Sequence, residues 1–479
     1  MVSLLGDFAA AVARHPQRVA IVDGTGRETS FAQLQARAEA LARLWRARGV
    51  QRGARVLLAM PLNADLYASL AALWSLGATV VLPEPAMGLA GLRHAARTSG
   101  ATLFCSAGAY RALRYLLPSL WPLRHITPPG EPRSETVQET AEVTPPMPAD
   151  IALISFTSGT SGAPKAIPRS HGFLNAQHQA IAPLLHSAEE ERDLVAFPVF
   201  VLINIASGRT SVLPNWRMSR LAALEPAAMA DWMQRQQVTR ALIPPSLCEK
   251  LSQAPVPASL RRVFTGGGPV FPDLLARMAK AKPDLTTVCV YGSTEAEPIA
   301  HLNAAEITAG DRARMMGGQG LLVGPPVPDL RLRLRADEIQ VAGAHVNGGY
   351  LDPRQDIDTK IREGDVIWHR TGDAGALDGA GRLWLLGRIG TQVAMPEGPL
   401  YPFSVEVAAH GWAGVRQCAF VQAVEGPTLV IAGAARHLPD WQRNARAMGI
   451  SRLRHLDKIP MDRRHASKVD RAALMARLR

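Results

Sequence analysis

The stretch that decides the fold is IALISFTSGTSGAPK, residues 151–165, in which a buried-strand run leads into a loop of small hydroxyl residues and glycines ending on a lysine. Glycines let the main chain approach an anion closely, and successive backbone N–H groups form a concave anion site. The loop predicts a phosphate site, with a flexible turn as the alternative. It is not the GxxxxGK[ST] nucleotide loop, because no lysine stands in that spacing. The predicted phosphate-binding residues are Thr157, Ser158, Gly159, Thr160, Ser161, Gly162 and Lys165.

Short β-rich runs alternate with helical runs upstream of this loop, over residues 18–81. The helical runs carry apolar residues at three- and four-residue spacing, and this alternation is typical of layered α/β architecture. A stretch rich in Pro, Glu and Thr, residues 127–150, predicts a surface connection. Further along, units of strand, Gly-turn and helix are predicted at residues 261–280 and 286–298, before a β-rich section at 330–386.

The last ninety or so residues, beyond Gly387 and Arg388, mix short strands with Arg-rich helices. This is enough chain for a small C-terminal lid. We therefore predict an α/β protein of two domains, residues 1–387 and 388–479, with a hinge at their junction.

The composition is that of an ordinary globular chain of 479 residues, with 47% hydrophobic and 20% charged residues. The formal charge of +12 favours acidic small molecules or acidic protein partners. A nucleic-acid binder should show clustered basic residues interleaved with exposed aromatics. Aromatic residues make up 5% of the chain and are spread through apparent core, so we expect no nucleic-acid partner.

Features that report on the cellular compartment point to the cytoplasm. The four cysteines are far apart and form no CxxC pair, so neither a zinc site nor a disulfide framework is indicated. The N-terminus lacks the basic start and the cleavage site of a secretory signal. Two charge-free stretches, residues 66–82 and 194–208, fall short of the roughly 20 apolar residues that cross a bilayer. We predict a cytoplasmic protein with no transmembrane segment.

Three motifs occur in the order TSGTSGAPK, YGSTEAEP and HRTGD, and together they resemble the adenylate-forming superfamily. That superfamily contains acyl-CoA synthetases, nonribosomal adenylation domains and luciferases. The resemblance covers nearly the whole chain, from RVAIVDGTGRETSFAQL to PMDRRHASK. It implies a large N-terminal domain of several subdomains, a small mobile α+β lid that rotates between two half-reactions, and the use of ATP and Mg²⁺.

The resemblance also implies roles for individual nucleotide-binding residues. The loop at 157–165 would grip the β- and γ-phosphates, although Ser161 and Ala166 stand where the family usually has Thr and Gly. Tyr291 would stack on adenine, Thr294 would contact the α-phosphate, and Glu295 would hold Mg²⁺, a hard cation that takes oxygen ligands. The rest of the implied set comprises the adenine-site glycines Gly266, Gly267 and Gly268, the motif residues Gly292 and Ser293, and the ribose-binding pair Asp373 and Arg388.

The small number of lysines gives evidence for two site residues that does not depend on the family resemblance. Only seven of the 53 basic residues are lysines, yet two of these fall at Lys165 and at Lys468 in RRHASK. A planar guanidinium does not replace a compact ammonium that contacts a single oxygen. Lysine at these two positions therefore indicates that each side chain acts as a point charge. In the family resemblance Lys468 matches the catalytic lysine of the lid. His171, in PRSHGF, matches a histidine near the acyl site, with a purely structural histidine as the alternative. The implied catalytic set is Lys165, His171, Glu295 and Lys468.

The segment at 193–214 should run near the acyl substrate in this family. It is mostly apolar, and Phe197, Phe200, Val201, Ile203 and Ile205 are available to line a tunnel, with simple core packing as the alternative. No aspartate follows Leu194 in this segment to bind a substrate amino group. The segment therefore favours a fatty or β-hydroxy fatty acid over an amino acid.

Three further stretches, FPVFVLINIASGRTSVLP, GPLYPFSVE and PMDRRHASK, resemble the β-lactone synthetases of bacterial olefin biosynthesis. These enzymes activate a β-hydroxy acid as its adenylate, and the hydroxyl then closes the ring. The chain lacks the acidic residue and lysine that follow Arg388 in many thioester-forming members, and Ser404 replaces a usual Glu. A ligase that transfers the acyl group to coenzyme A or to an acyl carrier protein is the alternative. A non-catalytic adenylate-binding protein is the alternative of another class.

Overall fold

A computed structural model describes residues 3–84, 87–129, 146–157, 164–462 and 467–478. The chain divides into two compact units, each built from several segments. Unit 1 comprises residues 1–220, 232–242 and 344–358, and unit 2 comprises residues 221–231, 243–343 and 359–479. The predicted junction at 387–388 lies inside unit 2, at the end of a strand, and its role as a hinge stays a prediction.

The α-helices alternate with strands in the first half of the chain and become sparser in the second. In chain order they are α1 Leu4–Arg14, α2 Phe31–Ala47, α3 Ala64–Ser75, α4 Gly88–Thr98, α5 Leu113–Leu116, α6 His171–Ile181, α7 Pro198–Ala206, α8 Pro226–Arg235, α9 Pro245–Leu251, α10 Pro272–Ala281, α11 Ala309–Met316, α12 Phe403–His410, α13 Leu438–Ala447 and α14 Arg471–Leu478. In the described part of the chain, each helix is too short or too polar to cross a bilayer.

The strands contribute to both units. In chain order they are β1 Val19–Val22, β2 Glu28–Ser30, β3 Arg55–Ala59, β4 Thr79–Leu82, β5 Leu103–Ser106, β6 Arg124–Ile126, β7 Ile151–Thr157, β8 Lys165–Ser170, β9 Arg192–Val195, β10 Thr210–Val212, β11 Arg240–Ile243, β12 Arg262–Gly266, β13 Thr286–Ser293, β14 Ala296–Asn303, β15 Leu321–Gly324, β16 Arg331–Arg335, β17 Glu338–Ala342, β18 Lys360–Glu363, β19 Val366–Leu377, β20 Leu383–Arg388, β21 Val415–Ala423, β22 Gly426–Gly433 and β23 Arg452–Leu456.

Unit 1 is built on parallel strands covered by helices. One sheet has the order β6-β5-β3-β4-β7-β8 and is parallel except for the final β7–β8 pair. A second run has the order β11-β9-β10-β1-β2 and is parallel except for β1–β2. Since ligands of open α/β sheets bind beyond the carboxyl ends of the strands, the loop after β7 lies at a favourable edge.

Sequence patterning accounts for these elements. In α2, the residues at three- and four-residue spacing are buried, from Phe31 and Leu34 to Trp45. Ser30 and Gln33 form a capping box at the start of this helix, which satisfies the backbone N–H groups of these two residues. Trp74 of α3 is buried and donates from its indole N–H to the Ala152 carbonyl oxygen at 2.8 Å, which ties a helix to β7.

A buried ion pair crosses the strands β9 and β11 in unit 1. Arg240 is 1% exposed and Asp193 is fully buried. The guanidinium donates from Nε to Oδ1 and from Nη2 to Oδ2 of the carboxylate, each at 2.7 Å. Asn204 donates to Oδ2 of the same carboxylate at 3.0 Å, and Arg240 Nη1 donates to the Leu185 carbonyl oxygen at 2.7 Å. The pair is therefore bidentate and surrounded by further hydrogen bonds.

Unit 2 contains three groups of strands. The first is β14-β13-β12, in which β12 and β13 are parallel and β13 and β14 form an antiparallel hairpin. The second is an antiparallel sheet ordered β15-β20-β19-β17-β16, with β18 paired to β19. The third, β21-β22-β23, is accompanied by α12, α13 and α14 and forms the small C-terminal α+β part of the chain.

Of the two predicted units of strand, glycine turn and helix, the structure contains the first and not the second. The stretch at 261–280 forms a strand, a glycine turn and a helix, as predicted, through β12 and α10. The stretch at 286–298 does not end in a helix, because β13 turns directly into the antiparallel strand β14. Most of the predicted surface connection at 127–150 lies outside the described residues.

Candidate active site

The predicted phosphate loop of unit 1 joins the two strands of a hairpin. Thr157 ends β7, Lys165 begins β8, and the two residues are paired directly across the antiparallel ladder. The backbone therefore holds the two ends of the loop opposite each other. Five predicted phosphate-binding residues lie outside the described part of the chain, and their roles stay predictions: Ser158, Gly159, Thr160, Ser161 and Gly162.

Lys165 lies against an aromatic ring that sequence reasoning missed. Its Nζ is 4.8 Å from the centroid of the Tyr350 ring, within the range of a cation–π interaction. Tyr350 is 6% exposed, and its backbone N–H donates to Asp356 Oδ1 at 2.8 Å. The next residue, Leu351, donates from its backbone N–H to the Ala166 carbonyl oxygen at 2.9 Å. The Tyr350 segment is thereby fixed beside the lysine.

His171 is placed in the interior of unit 1, at the start of α6. It is 4% exposed, and its ring meets that of Trp74 edge-on at 5.6 Å between centroids. Burial lowers the pKa of His171 to about 4, although Asp150 acts in the opposite direction. A general base works best with a pKa near the operating pH. This environment favours a packing function, and the catalytic role of His171 stays a prediction.

The structure brings three predicted site residues of unit 2 into direct contact. The Tyr291 hydroxyl donates to Asp373 Oδ2 at 2.8 Å, and Arg388 Nη1 donates to Asp373 Oδ1 at 2.8 Å. Asp373 on β19 is paired with Arg388 on β20, so the ladder itself sets this ion pair. Gly372 has a φ of +69°, and a Cβ there would lie 3.0 Å from an Arg388 nitrogen. A side chain at this position would crowd the guanidinium.

The electrostatics of this cluster keep Asp373 paired. Burial and the Asp373 carboxylate raise the pKa of Tyr291 well above its ordinary value, so the phenol remains a hydrogen-bond donor. Burial opposes the charge of Arg388, but Asp373, Tyr291 and Glu295 outweigh it and raise the pKa of the guanidinium. Glu295 therefore lies within electrostatic reach of the Asp373–Arg388 pair.

Glu295 and Thr294 form the two-residue turn of the β13–β14 hairpin. Among the residues that the structure describes, there is no group of three or more His, Cys, Asp or Glu side chains arranged as a metal site. Mg²⁺ is commonly held by one or two carboxylates together with substrate phosphates, rather than by a protein cage. The Glu295 carboxylate supplies an oxygen donor of the kind such an ion takes, and its role as the Mg²⁺ ligand stays a prediction.

The glycines at 266–268 form a turn beside this hairpin. Gly266 ends β12, and a Cβ there would stand 2.4 Å from the Val290 carbonyl oxygen, so only glycine fits against β13. Gly267 has a φ of +79°, which favours glycine. Since β12 and β13 are parallel, this turn and the tip at Thr294 and Glu295 follow the carboxyl ends of neighbouring strands. Such an edge is where ligands of α/β sheets bind.

The segment that carries Lys468 lies against the same glycine turn. A Cβ on Gly268 would be 2.6 Å from the Ser467 Cβ, and Ser467 Oγ accepts from the Ser246 backbone N–H at 3.3 Å. The next residue is Lys468, which is exposed. The chain thus brings the C-terminal lysine motif next to the turn that the family resemblance assigns to the adenine and acyl sites.

Asp462 holds this lysine segment in place, and sequence reasoning missed it. Its Oδ1 accepts from the backbone N–H groups of Ser467 at 2.8 Å and Lys468 at 2.7 Å. The Asp462 backbone N–H donates to the Lys468 carbonyl oxygen at 2.8 Å. One carboxylate thereby fixes the backbone on which the Lys468 side chain is carried.

The apolar segment at 193–214 folds into β9, α7 and β10 of unit 1. Val201 and Ile205 belong to the main hydrophobic core, and Ile203 is 1% exposed. Phe197 and Phe200 are half-buried, with ring centroids 5.9 Å apart. These two aromatics are therefore the better candidates for contact with an acyl chain, whereas the three aliphatic residues pack the interior.

The class of protein to which this fold belongs is shown by a family profile, and the roles of the individual site residues stay predictions. The sequence profile described as "AMP-binding enzyme" matches residues 8–351, well over half of the chain. The chain belongs to the AMP-binding enzyme family. Its resemblance to adenylate-forming enzymes, its α/β fold class and its nature as an acid ligase or synthetase are thereby confirmed.

Two relatives by sequence and one solved structure illustrate what this chain is similar to. An olefin beta-lactone synthetase from Stenotrophomonas maltophilia (strain K279a) is 29% identical over 498 residues, covering 93% of this chain and 90% of the relative. A feruloyl-CoA synthase from an Amycolatopsis species is 28% identical, covering 87% and 85%. The solved structure of o-succinylbenzoate coenzyme A synthetase from Bacillus subtilis, in complex with ATP and magnesium ion, is 21% identical with a TM-score of 0.77, covering 98% of both chains.

Proposed function

We propose that this enzyme uses ATP to activate a fatty or β-hydroxy fatty acid as its acyl-adenylate, and that the substrate's own β-hydroxyl then closes a β-lactone. The observation that carries the adenylation step is the meeting of Tyr291, Asp373 and Arg388, beside a glycine turn that also contacts the Lys468 segment. The lactone step is supported by the similarity to an olefin beta-lactone synthetase.

The proposed first half-reaction joins two anions. A substrate carboxylate oxygen forms a bond to the α-phosphorus of ATP, the bond from that phosphorus to the bridging oxygen breaks, and pyrophosphate leaves. Asp373 accepts hydrogen bonds from the ribose hydroxyls, while Lys165 and Lys468 neutralise charge on the phosphates. Bound Mg²⁺, held through Glu295, would supply further charge neutralisation. The contribution of the protein is then mainly positioning and electrostatic stabilisation.

In the proposed second half-reaction, the substrate's hydroxyl oxygen attacks the carbonyl carbon of the mixed anhydride. The hydroxyl gives up its proton to solvent, the C–O bond to the phosphate breaks, and AMP leaves with both electrons of that bond. The absence of an aspartate between Leu194 and Pro214 supports an acid without an amino group. The half-buried rings of Phe197 and Phe200 supply an apolar surface for its chain.

Thioester formation is the second candidate. It is favoured by the similarity to a feruloyl-CoA synthase, and it would require coenzyme A or an acyl carrier protein as the acceptor. The sequence after Arg388, IGTQVAMPEG, lacks the acidic residue and lysine found in many thioester-forming members, which argues for the lactone.

A cytoplasmic location also belongs to the proposal, supported by four cysteines that are all free and buried.

Product analysis separates these candidates. The protein is incubated with MgATP and a panel of plain and 3-hydroxy fatty acids, with and without coenzyme A, and products are identified by mass. We expect pyrophosphate release that depends on added acid, and a lactone from 3-hydroxy acids without any thiol. A thioester formed only with coenzyme A would replace the lactone step. ATP binding without acid-dependent pyrophosphate release would contradict the adenylation step itself.

The contact between Lys165 and Tyr350 can be tested by substituting the tyrosine. Tyr350→Leu removes the ring that holds the ammonium, and a cation–π interaction contributes about 0.5–2 kcal/mol. We therefore expect kcat/KM for ATP to fall by about 2- to 30-fold in steady-state pyrophosphate release. Tyr350→Phe keeps the ring face and should restore most of the activity. As a matched control, Tyr110→Leu removes an exposed tyrosine of the same unit and should leave the kinetics unchanged. Equal loss in the Leu and Phe variants would contradict a positioning role for the ring.

A further inference from the structure

A surface of unit 1, remote in sequence from every residue assigned above, exposes large apolar side chains. Tyr115, Leu116 and Trp121 are 72%, 67% and 66% exposed, and all three lie within seven residues. They are carried by α5 and by the short 3-10 helix Pro118–Leu120 that follows it. Single exposed apolar residues are ordinary, but three such residues so close together mark an interaction site.

The segment is held firmly to the body of the protein. Leu117 and Leu120 alternate with the exposed residues, are 1% and 2% exposed, and belong to the core cluster that packs on one face of the β3–β5–β7 sheet. The outward side chains are therefore presented from a fixed base. This arrangement differs from a frayed segment, in which both sets of side chains would be exposed.

The same surface is strongly basic, so exposed aromatics and arginines occur together here, contrary to the expectation from the sequence that the aromatic residues lie in the core. Residues 85–130 contain no Asp or Glu, and the nearest acidic residues along the chain are Glu84 and Glu131. The five arginines in this stretch are all exposed: Arg93, Arg97, Arg111, Arg114 and Arg124. The Arg114 guanidinium lies 5.0 Å from the centroid of the Tyr115 ring. Burial lowers the pKa of His125, and the positive charges of Arg114 and Arg111 lower it further.

We propose that this aromatic–arginine surface, formed by Tyr115, Leu116 and Trp121 with Arg111, Arg114 and Arg124, binds the surface of an anionic phospholipid bilayer. Tryptophan and tyrosine favour the boundary between headgroups and acyl chains, because their rings are apolar at one end and polar at the other. Arginines around them attract anionic headgroups, each contributing a factor of roughly five to the binding constant.

Charge also favours a bilayer over a second copy of the chain as the binding partner of this surface. A two-fold dimer through the surface would place the same patch on both partners. The arginines of one copy would then face those of the other, and residues 85–130 contain no acidic residue to compensate. An anionic bilayer offers the opposite charge together with an apolar layer deep enough for the three side chains, whereas a nucleic acid offers the charge without an apolar layer for Leu116. Attachment here is peripheral, and the proposal does not depend on the chemistry assigned to the active site.

Vesicle sedimentation tests the proposal with the full chain. Sucrose-loaded vesicles of phosphatidylcholine alone are compared with vesicles in which about one third of the lipid is phosphatidylglycerol. We expect at least tenfold stronger partition onto the anionic vesicles, and loss of that difference in high salt. The triple variant Tyr115→Ser/Leu116→Ser/Trp121→Ser should lower partition about tenfold or more, because it removes the apolar insertion.

Two further variants make the result specific. Arg111→Gln/Arg114→Gln/Arg124→Gln should abolish the preference for anionic lipid. Ile357→Ser/Val424→Ser removes two other exposed apolar residues, 78% and 85% exposed, and should bind as the wild type does. Acid-dependent pyrophosphate release with a short, water-soluble acid should be unchanged in all three variants, which shows that they are folded.

The outcomes that overturn the proposal are equally concrete. A wild-type protein that stays in the supernatant with anionic vesicles would refute it. So would a serine triple variant that binds as strongly as the wild type. If the triple variant instead converts a wild-type dimer into a monomer in analytical ultracentrifugation, the surface joins two copies of the chain, and the bilayer is not its occupant.

Discussion

Replacing Lys468 with alanine should slow acyl-adenylate formation by about 10²- to 10³-fold, the range found when one preorganised donor to a developing anion is removed. The affinity for ATP should change much less, since the ammonium acts chiefly where charge is transferred during attack on the α-phosphorus. The structure motivates this because the Lys468 segment packs on the Gly268 turn and is pinned by the Asp462 carboxylate. Pyrophosphate release and equilibrium ATP binding are measured side by side.

Three comparisons sharpen this test. Lys468→Arg should recover little activity, because a planar guanidinium does not reach one oxygen as a compact ammonium does. Lys458→Ala removes another exposed lysine of the same C-terminal part and should behave as the wild type. When supplied with a synthetic acyl-adenylate, Lys468→Ala should still carry out the second half-reaction. Parallel losses of ATP affinity and adenylation rate would contradict a donor that acts in the transition state.

A site residue can be predicted from the sequence when it belongs to a short motif, whereas its contacts with residues far away in the sequence cannot. The motifs that hold Tyr291, Asp373 and Arg388 are recognisable one by one, and the structure brings these three residues into contact. Their mutual geometry is set by the β19–β20 ladder, a pairing that residue spacing does not reveal. Asp462 stands beside a recognised motif, but its function is to accept backbone N–H groups, and an isolated Asp has no pattern that announces this.

Long-range contacts account for the other omissions. Tyr350 and Lys165 are 185 positions apart in the sequence, and a backbone hydrogen bond from Leu351 to Ala166 brings them together. Local periodicity therefore gives no signal of the contact. The β13–β14 hairpin was missed because the strand after the turn starts Ala-Glu-Pro, residues that are depleted in strands. Pairing with β13, from Ser293 opposite Ala296 to Val288 opposite Asn303, overrides that preference.

The individual function of an apolar residue is also hidden from sequence. Val201 and Ile205 lie on the same short helix as the half-buried Phe200, yet they pack in the core of unit 1. A helix this apolar on all sides gives no sign of which face meets a ligand. The partition between substrate contact and core packing is decided by which elements surround the helix, and only the folded chain supplies that.

Asp193→Ala should lower the free energy of unfolding of unit 1 by about 3–5 kcal/mol, the cost of leaving a buried charge without its partner. Arg240 would keep its position at 1% exposure without the carboxylate that accepts from both Nε and Nη2, and the remaining carboxylate, that of Glu191, has its Oε2 4.0 Å from Nε. Asn204 would lose an acceptor as well. The measurement is urea unfolding followed by circular dichroism and by acid-dependent pyrophosphate release, which reports on the transition that destroys activity.

The physical reason for this loss is tested by a double variant. Asp193→Leu/Arg240→Met removes both charges and replaces them with apolar side chains, so it should recover much of the stability lost in Asp193→Ala. Glu190→Gln breaks an exposed ion pair with Arg18 and should leave the unfolding midpoint unchanged, as expected for pairs in water. If the double variant is as unstable as the single one, the loss comes from damaged packing or from Asn204, which donates to Asp193 and to Ser211 Oγ, and the charge of Arg240 is not its cause. Recovery in the double variant would instead identify the buried charge of Arg240 as the origin of the instability.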